Sequence, residues 1–329
     1  MPSSPAWKRT VEEMVMTAQA DSRATALARR LEAEGRGRLT VDEPMAAHTT
    51  FRIGGPADLF YVPADREDVA AAVRICHELG EEYFVLGGGS NLLVRDGGIR
   101  GLVLHPAPGL RRCWVVERGE EEGILAAEAG VAISTLVATA ARNGLAGLEF
   151  AVAIPGTVGG ALRMNAGTPE GEVGDRAVGV EVIARDGERT WLEAEACGFA
   201  YRQTALPPGA LIVEGRWKLP TASREEIQVA MKRMTRERLE RQPVGEACAG
   251  SMFKNPPGDH AGRLIEAADC KGLTMGRTQV STRHANFFVN TGGATAADME
   301  ALIAEVYRRV EESSGVVLEL EIMVVGEPG

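Results

Sequence analysis

The sequence predicts a protein of mixed helices and strands that is divided into two or three domains. The chain has 329 residues, and a domain usually holds about 100 to 200 residues. Capped amphipathic helices alternate with short apolar strands, and glycine-rich turns follow two of the apolar segments. Hydrophobic residues make up 45% of the chain and charged residues 25%, which is typical of a soluble globular protein.

Composition and charge exclude several classes of function. The net charge of −10 argues against a nucleic-acid partner, because such binding needs a basic surface. No apolar run approaches the roughly 18 residues of a membrane span, and the first residues lack the apolar core of a signal peptide. The five cysteines form no C-x-x-C pair and the five histidines no H-x-x-x-H pair, so no metal site is expected. We therefore expect a cytoplasmic protein with reduced thiols.

The first residues predict two short helices over 1–35. Asp21 and Ser22 are suited to cap the second helix, Leu27 and Leu31 mark its inner face, and glycine ends it at position 35. This segment carries no chemical motif, so we expect it to serve packing.

Next, a turn-rich segment over 48–56 leads into a strand through Leu59. Asp65 is placed to cap a helix with an apolar stripe, and Gly80 ends that helix. Residues 83–86 then predict a short buried strand, which runs directly into a glycine-rich turn.

That turn, over 87–91, has the composition of an anion-binding nest. Three consecutive glycines leave main-chain N–H groups unshielded, so that they can converge on an anion. The segment is not a Rossmann fingerprint, which needs glycine where Leu92 stands, and it lacks the Gly-Lys-Ser/Thr of a Walker A loop.

A second glycine-rich turn lies at 154–160. Pro155 fixes φ, Gly156 frees it, and two further glycines allow a close approach of the backbone to a ligand or a helix. Small residues continue over 164–167. Two such turns in one chain suit a ligand that has a diphosphate and a flat ring.

The following segments carry cations. Asp186 and the glycine after it predict a hairpin turn, and Arg202 follows Tyr201; taken locally, Arg202 is best interpreted as a surface cation stacked on that tyrosine. Ser223 and Glu226 form a capping box at the start of a helix. Residues 216–241 hold eight Lys or Arg against four Glu, which suits either an anionic substrate or a solvated basic face.

Residues 247–256 concentrate a hydroxyl, a cation and an amide in one short stretch, as binding loops do. An ordinary surface turn is the alternative. Further on, Thr295 caps a helix that ends at Gly315, and residues 316–325 predict a strand. Its alternation places Glu319 and Glu321 together on the face opposite the leucines, and spacing does not choose between the two glutamates. A carboxylate there is either at an exposed edge or functional with a raised pKa.

These motifs, in this order, resemble those of the UDP-N-acetylmuramate dehydrogenase family, also called UDP-N-acetylenolpyruvoylglucosamine reductase. The resemblance covers residues 39–326. It rests on residues 87–91, 154–160 with 164–167, Tyr201-Arg202, 250–256, 284–287 and 318–326.

The resemblance implies an α+β fold: a two-subdomain FAD-binding fold of the vanillyl-alcohol-oxidase/PCMH type, plus a C-terminal α+β substrate domain. On this basis we expect a helical leader over 1–38, FAD-binding subdomains over 39–106 and 107–219, and a substrate domain over 220–329. The last strand, 316–325, would return toward the flavin.

The resemblance also implies an activity in peptidoglycan precursor synthesis and cell wall biogenesis. NADPH would reduce bound FAD, and hydride from the reduced FAD would convert the UDP-sugar enolpyruvate to UDP-N-acetylmuramate. The catalytic positions fall on Arg202, Ser251 and Glu321, so the resemblance selects Glu321 over Glu319. A monomer or weak dimer is expected.

The binding residues follow by position from the same resemblance. Those expected on FAD are Arg52, Leu86, Gly87, Gly88, Gly89, Ser90, Asn91, Ile154, Pro155, Gly156, Gly159, Gly160, Asn165, Ala166 and Gly167. Those expected on the UDP-sugar are Tyr201, Arg241, Lys254, Asn255 and Asn286.

The chain departs from the family pattern in several places. Arg241 stands where lysine is common, Thr204 replaces a serine, and residues 168–170 replace a more usual Ala-Tyr-Gly. The short span over 217–250 resembles the smaller subgroup, which lacks a substrate-covering insertion. Two other functions stay open: a flavoenzyme of the same fold that oxidises sugars or lactones, and a nucleotide-binding regulator without catalysis.

Overall fold

The structure is a computed structural model and describes residues 25–329. Residues 25–34 are helical (α1), and Leu27 and Leu31 are buried on the inner face, as predicted. The main-chain N–H of Gly35 donates to the carbonyl of Leu31. The first predicted helix and the predicted caps at Asp21 and Ser22 lie outside the described residues.

The first unit is a four-stranded sheet with α2 packed on it. The sheet order is β1-β2-β5-β3, with β1 antiparallel to β2 and both β2 and β3 parallel to β5. Its elements are β1 Arg38–Pro44, β2 Pro56–Val62, α2 Arg66–Leu79, β3 Tyr83–Val85 and β5 Ile99–Leu104, with β4 Leu92–Val94 lying outside this sheet. Asp65 caps α2 and Gly80, at φ +68°, ends it, as predicted.

The strand predicted over 83–86 is present as β3, but the prediction that it is buried is wrong. Among the described strands, β3 pairs with β5 alone at the edge of the sheet, so Val85 stays 38% exposed, while Leu86, just past the strand, is buried.

The second unit is a five-stranded antiparallel sheet of order β11-β10-β12-β7-β6. Its core surrounds the fully buried Trp217. Asp186 and Gly187 form the predicted hairpin turn between β10 and β11, with Gly187 at φ +87°. The elements are β6 Cys113–Arg118, β7 Glu122–Glu128, α3 Ile133–Arg142, α4 Val158–Arg163, the two-residue strands β8 Gly167–Thr168 and β9 Gly171–Glu172, β10 Ala177–Ile183, β11 Arg189–Glu193, α5 Ala194–Cys197 and β12 Leu211–Pro220.

Helix α6, Arg224–Arg241, begins with the predicted capping box of Ser223 and Glu226. Its Ile227 is buried, and Met231 and Met234 pack against the core of the second sheet. The helix therefore rests on the second unit, although the expected substrate domain begins at residue 220.

The third unit has its own core, formed by α7, α8 and a small antiparallel sheet. Its elements are α7 Ala261–Ala267, β13 Thr274–Met275, β14 Thr278–Val280, β15 Phe288–Asn290 and α8 Ala296–Ser314. Thr295 caps α8 and Gly315 ends it, as predicted. Phe51 and Leu93 of the first unit join this core, so the two units share buried surface.

The last segment forms much less strand than the ten residues predicted. Only β16, Met323–Val325, forms a ladder, which is parallel to β4. Residues 316–322 pass the 252–254 segment with one isolated bridge, between Phe253 and Leu320. Of the four residues predicted on its inner face, Leu318 and Ile322 are buried, whereas Leu320 and Val324 are half-buried. No helix within residues 25–329 combines the length and apolarity needed to cross a bilayer.

Candidate active site

The two glycine-rich turns, one from each of the first two units, touch each other. A Cβ on Gly88 would lie 2.7 Å from the Cα of Gly156, and a Cβ on Gly156 would lie 2.6 Å from Oγ of Ser90. The Ser90 hydroxyl also donates to the carbonyl of Pro155 at 3.3 Å. Only glycine allows so close an approach, so the predicted turns form one continuous surface.

This surface presents free main-chain donors. Within residues 25–329, none of the N–H groups of residues 87–91 donates to a protein acceptor, and neither do those of Gly156 and Thr157. Arg52, exposed and at φ +57°, lies in the turn next to them, where the Thr50 N–H donates to the Gly89 carbonyl at 3.0 Å. Such donors, with an arginine in the adjacent turn, fit the diphosphate of a dinucleotide such as FAD.

Two other residues expected to bind the cofactor, Asn165 and Ala166, form hydrogen bonds within the protein. The Asn165 amide donates to Glu172 Oε2 at 2.6 Å and to the Ala200 carbonyl at 3.1 Å, and its Oδ1 accepts from the Gly174 N–H at 3.0 Å. Ala166 donates to Ala161 and accepts from Val173 through its main chain. Their hydrogen-bonding groups are already engaged by the protein, so this arrangement does not support direct cofactor contacts for Asn165 and Ala166.

The remaining residues of the second turn also differ in whether they pack within the protein or face the surface formed by the two turns. A Cβ on Gly159 would lie 2.8 Å from the Cβ of Ala129, so this glycine serves the packing of α4 against the end of β7. Gly160 faces Gly87, with a Cβ on the latter 3.9 Å from the Gly160 Cα. Ile154 is half-buried and Pro155 exposed at the rim.

Arg202 and Glu321, 119 residues apart, are joined in a half-buried ion pair. Arg202 Nε donates to Glu321 Oε1 at 2.7 Å, and Nη2 donates to the Gly167 carbonyl at 3.1 Å. The Arg202 side chain is 15% exposed, so the interpretation of it as a surface cation is wrong, although it does stack on Tyr201 at 4.7 Å from the ring centroid. Arg202 adopts φ +56°, a strained conformation for a non-glycine residue.

One N–H group of Arg202 makes no hydrogen bond to the described residues. Its Nη1 is buried and has no hydrogen-bond partner in the described part of the chain, and the carboxylate of Glu172 lies 3.6 Å away. A buried N–H without a partner is costly, so this atom is suited to receive an acceptor from a ligand.

The structure separates the two glutamates that sequence spacing left equivalent. The Glu319 side chain is 72% exposed and pairs with Lys254, whereas the Glu321 side chain is 16% exposed and faces Arg202. Burial raises the pKa of Glu321 above its ordinary value, although Arg202 and Lys254 both lower it. The Glu321 carboxyl is therefore easier to protonate than a solvated one.

Ser251 directly precedes Met252, the residue whose carbonyl binds the main chain of Glu321. The Met252 carbonyl accepts a hydrogen bond from the Glu321 N–H at 2.9 Å, and Ser251 itself forms an isolated antiparallel β-bridge with Phe287. Ser251 is half-buried, and no residue within 25–329 accepts a hydrogen bond from its hydroxyl. The hydroxyl is thus free to act on a bound molecule.

The expected substrate residues do not all lie at this cluster. The Asn255 N–H donates to Tyr201 Oη at 3.3 Å, which brings these two residues together beside Lys254. Arg241 is exposed at the end of α6.

Asn286 is 3% exposed, and its amide both accepts from the Phe253 N–H at 3.0 Å and donates to the Phe253 carbonyl at 2.8 Å. That arrangement fixes the 252–253 main chain and does not support Asn286 as a substrate contact.

Two residues were not singled out in the sequence, Glu172 at this cluster and Arg238 on α6. Glu172 contacts both Asn165 and Arg202, and no spacing rule connects those three positions. Arg238 on α6 is half-buried, with no carboxylate partner among the described residues, and burial lowers its pKa. The basic composition of α6 was the only signal for it.

Comparison with known proteins supplies the family context. The family described as UDP-N-acetylenolpyruvoylglucosamine reductase, C-terminal domain, matches residues 242–325, and an FAD-binding domain family matches residues 57–193. A UDP-N-acetylenolpyruvoylglucosamine reductase of Geobacter metallireducens is 44% identical over 303 residues, which cover 91% of this chain and 97% of that protein. One from Alkalilimnicola ehrlichii is 46% identical over 291 residues, covering 88% of this chain and 96% of its own.

Among solved structures, the UDP-N-acetylenolpyruvylglucosamine reductase of Thermus caldophilus superposes with a TM-score of 0.75 at 38% identity. It covers 88% of this chain and 99% of its own.

Proposed function

Because the chain belongs to the UDP-N-acetylenolpyruvoylglucosamine reductase family and carries an FAD-binding domain, we propose that it reduces UDP-N-acetylglucosamine enolpyruvate to UDP-N-acetylmuramate with NADPH as the diffusing reductant. It is a flavin-dependent oxidoreductase. The observation that supports the assignment of the site is the half-buried Arg202–Glu321 pair beside Ser251, next to two glycine turns with free N–H donors.

We assign the cofactor to the surface formed by the two turns. The free N–H groups of residues 87–91, 156 and 157 would hold the diphosphate, and Arg52 would add a positive charge. FAD, when bound, supplies the hydride chemistry between NADPH and the enolpyruvyl double bond.

Arg202 has the task of stabilising negative charge. Hydride addition at the β-carbon pushes charge onto the substrate carboxylate, and catalysis needs donors already in place where that charge grows. The unpartnered Nη1 of Arg202 is such a donor, and a guanidinium stays charged at every relevant pH.

Glu321 would complete this arrangement in its protonated form. Burial raises its pKa, and a neutral carboxyl donates a hydrogen bond, whereas a carboxylate would repel the developing charge.

Ser251 would supply the proton that the α-carbon needs. Its hydroxyl has no acceptor among the described residues, and its main chain is fixed next to that of Glu321. Serine is a weak acid, so Lys254 or a bound water is expected to assist, and general acid catalysis of this kind contributes about 10²–10⁴ in rate.

The remaining assignments concern the substrate and the cell. We assign the UDP-sugar to Tyr201, Lys254 and Asn255, with Arg241 reaching the diphosphate from the end of α6. The reaction would take place in the cytoplasm, in peptidoglycan precursor synthesis, and in a monomer or weak dimer.

The test is spectroscopic. The purified chain should be yellow, lose its visible absorbance under anaerobic NADPH, and regain it when the UDP-sugar is added. Reoxidation by oxygen alone, with no response to the UDP-sugar, would indicate a sugar or lactone oxidase. A colourless protein that takes up no FAD would indicate a regulator.

A further inference from the structure

The geometry points to a positioning role for the side chain of Asn91, the last residue of the first glycine turn: we propose that it holds Glu321 in place for the reaction. This inference rests on the proposed function. Asn91 was expected to contact FAD, and the structure directs its side chain to a different partner.

Asn91 forms two hydrogen bonds with the last segment of the chain. Its side-chain Nδ2 donates to the carbonyl of Glu321 at 3.0 Å, and its own carbonyl accepts from the Met323 N–H at 3.0 Å. The two bonds flank residue 322, immediately before the ladder of β16 with β4 begins. They fix the main chain on the C-terminal side of Glu321.

The other side of Glu321 is fixed by the serine segment. The Glu321 N–H donates to the Met252 carbonyl at 2.9 Å, so the two peptide groups of this residue are held by two different units. From that backbone position its carboxyl reaches Arg202 Nε at 2.7 Å. Loss of the Asn91 bond would free the C-terminal side and allow the carboxyl to move away from Arg202.

The main chain and side chain of Asn91 therefore have separable roles. Its main-chain N–H is one of the free donors of the glycine turn, and it survives any substitution other than proline. Its side chain is engaged with the Glu321 carbonyl. Truncating the side chain should disturb Glu321 and leave the affinity for FAD nearly unchanged.

The first arm of the test needs no knowledge of the substrate. Crystal structures of the holoenzyme and of Asn91→Ala should show the Arg202–Glu321 contact of 2.7 Å lengthened beyond hydrogen-bond reach in the variant. The FAD dissociation constant, from flavin fluorescence on dilution of the holoenzyme, should change less than about 3-fold. An unmoved Glu321, or FAD binding weakened 10-fold or more, would overturn the proposal.

The second arm measures the reaction. Asn91→Ala should slow flavin reoxidation by the UDP-sugar about 10-fold, the worth of one hydrogen bond, and leave flavin reduction by NADPH unchanged. In a Glu321→Gln background the same substitution should add little, because the two residues act through one group. Additive losses would refute a role that runs through Glu321.

The control is Asn143→Ala, which removes an equivalent amide-to-carbonyl bond, from Asn143 Nδ2 to the Thr139 carbonyl at 2.8 Å, away from the site. It should leave the Arg202–Glu321 distance and both half-reactions unchanged. If Asn91→Ala does not fold, Asn91→Asp keeps the shape without the N–H donor and should show the same displacement. A parent enzyme that ignores the UDP-sugar would refute the proposed function, while the structural arm would still decide the role of Asn91.

Discussion

Replacing Arg66 with methionine should strongly destabilise the protein, because this residue ties together the two units that carry the glycine turns. Arg66, at the start of α2, is 10% exposed in its side chain. Three carboxylates of the second sheet surround it: Glu128 at 3.0 Å, Glu181 at 2.8 Å and Glu214 at 2.6 Å, and their side chains are 4%, 18% and 2% exposed.

The magnitude follows from what the substitution leaves behind. Removing one partner of a buried ion pair costs about 3–5 kcal/mol, because the remaining charge stays buried without compensation. Each carboxylate keeps one other guanidinium, from Arg112, Arg189 or Arg216. We therefore expect a loss near the lower end of that range, about 3 kcal/mol in the free energy of unfolding.

The assay is urea unfolding of the holoenzyme, followed by circular dichroism and by flavin fluorescence. Arg185→Met is the matched control, because it breaks an exposed pair with Glu82 and should cost less than about 1 kcal/mol. If Arg66→Met lowered the free energy of unfolding by no more than Arg185→Met, the claim that Arg66 is essential to the join between the units would be refuted.

Three further predictions concern the proposed catalytic groups. Ser251→Ala should leave flavin reduction by NADPH nearly intact and slow reoxidation by the UDP-sugar at least about 100-fold in stopped-flow traces; equal effects on both half-reactions would remove Ser251 from the role. Glu321→Gln should retain more activity than Glu321→Asp if a protonated donor matters, and the reverse order of kcat would argue for a carboxylate. Because burial raises the pKa of Glu321, reoxidation should be fastest at low pH and should decline as pH rises through that pKa. Lys254 lowers the pKa of Glu321, so Lys254→Met should shift this decline to higher pH at saturating substrate. The control Lys271→Met removes a lysine paired with Glu266 and should not shift the decline.

The sequence predicts local features well because their causes are local. Helix caps at Asp65, Ser223 and Thr295 depend on residues three positions apart, and all three are confirmed. The glycine turns were recognised for the same reason, since the freedom of the backbone belongs to the glycines themselves.

Features that depend on distant partners were not accessible to local reasoning. The burial of Arg202 depends on Glu321, 119 residues away, and an isolated Tyr-Arg pair gives no sign of it. The amides of Asn165 and Asn286 bind main-chain groups that only the folded chain brings near. The sequence of the last segment alternates as a strand does, but ladder partners exist for only three of its residues within the described chain, 25–329.

The central claim is that Arg202, Ser251 and Glu321 act together on one substrate beside the flavin. The most direct measurement is a crystal structure of the chain with FAD and the UDP-sugar bound. It should show the substrate carboxylate within hydrogen-bond reach of Arg202 Nη1 and the Glu321 carboxyl, with Ser251 Oγ next to the α-carbon. A substrate bound with its enolpyruvyl group away from these three side chains would contradict the account.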